Sequence, residues 1–125
     1  MKVYAFTKKK EYIMEIENTL EAKQAFVGGL IQLVSLTDEL DLICNDEGKL
    51  GTAVPMAAWI EDGKVVDIIY GNFLVCRYNN VGEFASIKES DVKVIREKLK
   101  PISLFINNTV YLKPRKEDWI TSSRQ

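Results

Sequence analysis

Few residues in this chain have the types and spacing that chemistry requires. Cys44 and Cys76 are candidate nucleophiles, but the chain contains no histidine. A thiol needs a nearby base or cation to act as a thiolate at neutral pH. Both cysteines stand among alternating apolar residues, so they are expected as buried core thiols. Carboxylates occur as neighbours in Asp46-Glu47, Glu61-Asp62 and Glu117-Asp118. Glycosidase-type chemistry holds two carboxyls across a cleft. Turns favour the same residues for local hydrogen bonding, and these pairs read as solvated turns or tail. Asp41, Asn45, Asp46, Glu47 and Gly48 lack the spacing of a calcium loop. Gly28-Gly29 follows an expected helix instead of opening one, so it reads as a helix stop and not a phosphate loop. No catalytic residue, metal or cofactor is expected.

Binding has better material. Lys8-Lys9-Lys10 and Lys113-Pro114-Arg115-Lys116 are basic clusters able to touch phosphates, and Tyr12 and Trp119 lie nearby in sequence as stacking surfaces. A solvated turn and a charged tail are the plainer readings of the same residues. The ends of the apolar strands give another candidate surface. Asn45 and Lys49 flank one turn, while Asn72, Arg77 and Tyr78 belong to another strand. Strand parity separates Asn72 and Tyr78 from Arg77, so all five face one pocket only with a bulge. Arg77 shares its parity with Phe73 and Val75. If that face is core, Arg77 needs an anionic partner; if it is solvent, Phe73 and Val75 mark an interface. The candidate binding residues are Asn45, Lys49, Asn72, Arg77, Tyr78, Arg115 and Trp119.

The elements that must position them follow from periodicity. Lys2–Thr7 and Tyr12–Ile16 alternate and form a hairpin across the lysine run. Asn18 caps a short helix, Thr19–Val27, with Glu21 returning a bond. Leu20, Phe26 and Val27 are expected on the sheet, with Lys23 and Gln24 toward water. Leu30–Leu36, Leu40–Asn45, Lys64–Tyr70 and Asn72–Tyr78 read as strands. Pro55–Ile60 reads as one helical turn opened by its proline. Asp62-Gly63 is a hairpin turn signal, and residues 81–87 read as a short edge strand or loop. Glu89–Leu99 is a second amphipathic helix, ended by Pro101. Ser103–Ile106 and Thr109–Leu112 make a final hairpin over Asn107-Asn108.

With 125 residues, 46% hydrophobic and 28% charged, the chain is expected to form one globular domain. The domain spans residues 1–112, followed by a polar tail over 113–125. The fold class is α+β: a mostly antiparallel, twisted sheet of six to eight strands with two covering helices. Seventeen basic against 18 acidic residues leave a net charge of −1. Binding to bulk nucleic acid through overall charge is therefore not expected. No apolar run approaches the ~20 residues of a membrane helix, and no signal segment is present, so a cytoplasmic location is expected.

Three segments add a resemblance: Phe26-Val27-Gly28-Gly29-Leu30-Ile31, Leu42-Ile43-Cys44-Asn45-Asp46-Glu47-Gly48-Lys49-Leu50, and Val66-Asp67-Ile68-Ile69-Tyr70-Gly71-Asn72-Phe73. In order and spacing, across about residues 1–85, the chain resembles a family of small phage- and plasmid-borne proteins known only as a domain of unknown function. Members often carry an Asn-Arg pair after the proline of the central loop, where this chain has Met56-Ala57. The resemblance implies a mobile-element accessory protein that binds and inhibits a host defence component. For a blockade of a host protein, exposed apolar residues such as Phe73 or Trp119 are the expected anchors. The alternative is a sponge that sequesters a small signalling nucleotide, and the lesser one a nucleotide-hydrolysing enzyme. The apolar hairpin Ser103–Leu112 and the Trp119-Ile120 pair point to a homodimer.

Overall fold

Strands with consecutive apolar residues, which point to both faces of a sheet, stay buried only when a layer covers each face. Three strands of this chain have such runs: β1 (Lys2–Phe6) in Val3–Phe6, β4 (Leu40–Asn45) in Leu42–Cys44 and β7 (Phe73–Tyr78) in Phe73–Cys76. The computed structural model describes residues 1–49, 51 and 53–115. The three strands form the middle of a six-stranded antiparallel sheet, completed by β2 (Glu11–Glu15), β3 (Ile31–Ser35) and β8 (Phe84–Ala85). On one face Val3, Ile43, Leu74 and Cys76 pack against Val27 of helix α1 (Leu20–Val27). On the other face Tyr4, Phe6, Leu42, Cys44, Phe73 and Val75 meet a second sheet. That sheet is antiparallel, in the order β10-β9-β5-β6. Its strands are β5 (Pro55–Glu61), β6 (Lys64–Tyr70), β9 (Leu99–Ile106) and β10 (Thr109–Leu112). Met56, Ala57, Ile69 and Leu99 face the shared core, and helix α2 (Glu89–Lys98) closes it with Ile95.

The α+β class holds, but the expected single sheet is two sheets, and the described residues contain ten strands instead of six to eight. The difference comes from Pro55–Ile60, which is strand and not a helical turn. Proline is tolerated at the first residue of a strand. The next residues, Met56, Ala57 and Ala58, are small enough or buried enough to sit between β6 and β9, and this pairing overrides their helical preference. The hairpin turns form as their sequences predict. Asp62 and Gly63, and likewise Asn107 and Asn108, all take positive φ, as a two-residue turn of primed type requires.

Helix α1 is capped by Thr19, not Asn18. The Thr19 hydroxyl accepts from Ala22 N–H at 3.1 Å. Asn18 instead donates to the Phe84 carbonyl and accepts from the Lys23 ammonium at 2.8 Å. Lys23, expected toward water, is buried against the Phe84 ring, while Leu20, expected on the sheet, is exposed. No helix among the described residues is long and apolar enough to cross a membrane.

Candidate functional site

The β1–β2 turn is closed by one side chain. The Thr7 hydroxyl donates to the Lys10 carbonyl and accepts from Lys10 N–H, leaving Lys8, Lys9 and Lys10 exposed. At the far end of the described chain, Lys113 N–H donates to the Pro101 carbonyl at 2.8 Å. Arg115, expected in a solvated tail, is instead buried. Its Nη2 donates to Glu11 Oε1 at 2.8 Å and to the Leu99 carbonyl, and its Nη1 donates to the Arg96 carbonyl at 2.9 Å. These carbonyls end α2, so a cation there satisfies acceptors the helix leaves open and opposes its dipole. Glu11 is held in turn by the Tyr4 hydroxyl, which donates at 2.8 Å. Burial, with the Glu11 carboxylate beside it, raises the Tyr4 phenol above its ordinary range.

Seating Arg115 brings the Lys8–Lys10 run and Lys113 to Arg115 to the walls of one cleft of about 730 Å³ between the sheets. Lys8, Lys9, Lys10, Arg96, Lys113 and Arg115 line it with a single carboxylate, Glu11. Lys10 lies over the Tyr12 ring at 4.4 Å. Lys8, Lys9 and Lys113 have no ion-pair partner among the described residues. The apolar wall comes from Val54, Pro55 and Met56 on one side and Pro101, Ile102, Leu104 and Phe105 on the other. All three prolines of the chain line this cleft. Like charges gathered in a chain of net −1 oppose folding, and they suit an anionic ligand. The volume and the mixed apolar and polar lining are those of a small-molecule site.

The other candidate residues do not meet there. Pairing of Leu40 with Arg77 and of Ile43 with Leu74 puts Arg77 and Tyr78 at one end of the β4–β7 ladder and Asn45 and Asn72 at the other. Asn45 donates to the Val27 carbonyl at 3.2 Å and accepts from Glu47 N–H. Lys49 pairs with Asp67 at 2.6 Å. Asn72 is exposed in the β6–β7 turn, and Tyr78 is exposed with its ring edge-on to Phe84. Arg77 is a rim charge with partners, gripping Asp91 through two bonds and Glu39 through a third. Trp119 lies outside the described residues. Among the described residues of the proposed set, only Arg115 lines the cleft. The lysines that line it are visible in sequence as basic runs, while Phe105 and the prolines carry no sequence signal for a site.

Both cysteines are buried, as their neighbours predict. Burial pushes the Cys76 thiol up to about 12 and raises Cys44 as well. Glu11 has both oxygens engaged by Arg115.

The three segments quoted from the sequence pack together around the antiparallel two-sheet core. The segments meet one another. A Cβ on Gly29 would stand 3.0 Å from Asn45 Nδ2, and one on Gly48 would stand 3.1 Å from the Tyr70 carbonyl. These glycines are where segments distant in sequence touch, a packing role. The chain belongs to the family described as Domain of unknown function (DUF3846), whose model matches residues 1–100. The cleft wall from Pro101 to Phe105 and from Lys113 to Arg115 lies past that match. No curated protein and no solved structure matches the chain.

Proposed function

We propose that this is a non-enzymatic binding protein of a phage or other mobile element, and that it works against a host defence in the host cytoplasm by holding a small signalling nucleotide in the basic cleft. One observation carries the reading. Two basic segments about a hundred residues apart converge on one apolar-walled cleft whose Lys8, Lys9 and Lys113 ammonium groups have no ion-pair partner among the described residues. Cations serve phosphates, and the apolar wall serves a base. Thermal melting with a panel of nucleotides and cyclic dinucleotides tests it. A ligand at 100 times its dissociation constant adds about 2.7 kcal/mol of stability. Melting unchanged by every member of the panel would rule the reading out.

The second reading is direct blockade of a host defence protein. Phe73 cannot serve as its anchor, because it is fully buried and stacked on Phe6 at 4.8 Å. The exposed hairpin residues Leu104, Ile106, Tyr111 and Leu112 offer an alternative apolar surface. A hydrolytic role is the third. The carboxylate in the cleft wall is already tied to Arg115 and Tyr4, which leaves it poorly placed as a general base. Turnover of a bound nucleotide would establish the hydrolytic role.

A further inference from the structure

We propose that the cleft reads a base and a terminal polyphosphate together, so that its ligand is a nucleoside 5′-di- or triphosphate and not a cyclic dinucleotide or an inorganic anion. The inference rests on the reading of the cleft as a nucleotide site. Two aromatic rings line the cleft, Phe6 and Phe105. Phe6 is buried and already stacked on Phe73. Phe105 is half-buried in the cleft wall and has no ring partner among the described residues, which leaves its face to a ligand. Pro55 and Pro101 fix the backbone on either side of the cleft, so the apolar wall is formed before a ligand arrives. Base–aromatic stacking tolerates any base, so Phe105 provides affinity for the ring system without selecting which base.

The cations set the other half. Lys8 and Lys9 on the β1–β2 turn and Lys113 beyond β10 are all exposed and have no ion-pair partner among the described residues. A phosphodiester carries one charge per phosphate, and a cyclic dinucleotide fixes its two within a ring. A terminal phosphate adds up to a second charge. A di- or triphosphate chain therefore concentrates its charge on one flexible tail that can meet both the turn and Lys113. Lysine ammoniums, as mobile point charges, suit such a tail.

Isothermal titration of the full-length protein at fixed salt tests this with the four nucleoside triphosphates, inorganic tripolyphosphate, a cyclic dinucleotide and a single-stranded oligoadenylate. At least one nucleoside triphosphate is expected to bind about 5- to 150-fold tighter than tripolyphosphate, the span of one base stack. The Phe105→Leu variant should bring that nucleotide down to the tripolyphosphate level, and Phe105→Trp should keep its advantage. Equal affinity for the nucleotide and tripolyphosphate overturns the stacking inference while leaving an anion site. A cyclic dinucleotide binding as tightly as the triphosphates overturns the tail, and preference for the oligoadenylate assigns the cleft to a strand. If none of these ligands binds, the nucleotide reading itself fails.

Discussion

A guanidinium at the end of an apolar strand is stable only where its charge is answered, and Arg77 is answered by two carboxylates. Its Nε and Nη2 donate to the two oxygens of Asp91 at 2.7 and 2.8 Å, and its Nη1 donates to Glu39 at 2.7 Å. Asp91 also accepts from Lys88 N–H at 2.7 Å, so one carboxylate caps α2 and ties it to β7. Burial pushes the Asp91 carboxyl up, but the bonds from Arg77 and Lys88 outweigh this and hold it below its ordinary value. A carboxyl depressed in the native state stabilises the fold above its unfolded value of about 3.9, and that contribution is lost as pH falls through the native value. The Asp91→Asn variant should therefore lose about 3 kcal/mol at pH 7, since it leaves Arg77 half-answered. It should also lose less stability than the parent on acidification below about pH 4. Urea melts at both pH values check this, and equal acid sensitivity in the two proteins would contradict it. The thiols make a second residue-scale case. With Cys76 near 12 and both side chains buried, neither should react with a disulfide reagent at pH 8 until the chain is unfolded. A fast-reacting thiol in the native protein would contradict that burial.

Among elements, local signals are reliable where turn chemistry and alternation agree. Leu40–Asn45 and Lys64–Tyr70 are strands with the limits their alternation predicts, and the Asp62-Gly63 turn joins β5 to β6. The strand at Pro55 was not legible, because Met56-Ala57-Ala58 has no alternation and its state is fixed by neighbours on both sides. The cap of α1 lies one residue beyond the one its sequence predicts, since Asn18 and Thr19 are both good caps and only the bond to the Phe84 carbonyl assigns Asn18 elsewhere. The Asn107-Asn108 turn supplies a test. Both residues hold φ near +50 to +60°. Asn108→Gly should stabilise by up to about 1 kcal/mol, whereas Asn107→Val should cost about 1–2 kcal/mol. The Arg115 seat supplies another. Glu11→Gln weakens the charge that holds Arg115 and thereby loosens the segment that carries Lys113. Hydrogen exchange at Lys113 N–H should quicken at least tenfold in that variant, roughly 1.4 kcal/mol of lost protection. Unchanged exchange would mean that Lys113 is held independently of Arg115.

For the whole molecule, two sheets share one core and leave a cleft at the rim where their loops meet. Both basic clusters are plain in the sequence. Their convergence is not, because it depends on β9 pairing with β5 and on Arg115 reaching Glu11 across 104 residues. The strand-end set Asn45, Lys49, Asn72, Arg77 and Tyr78 had the right chemistry but not the right geometry, since the β4–β7 register carries its members to opposite ends. The hairpin bears on assembly. Leu104, Ile106, Tyr111 and Leu112 are each about half exposed on it, a surface that suits a second copy in a homodimer. Sedimentation should then give a dimer that the Leu104→Lys, Tyr111→Lys double variant dissociates; a monomer at high micromolar concentration would contradict it. The central claim, that the working surface is the basic cleft, is tested most directly by mapping amide chemical shifts while a nucleoside triphosphate is titrated into the labelled protein. Shifts should concentrate at Thr7–Lys10, Met56, Ile102–Phe105 and Lys113–Arg115. Shifts confined to Asn45–Lys49 and Asn72, or to the far end around Arg77 and Tyr78, would place the ligand elsewhere and contradict the claim.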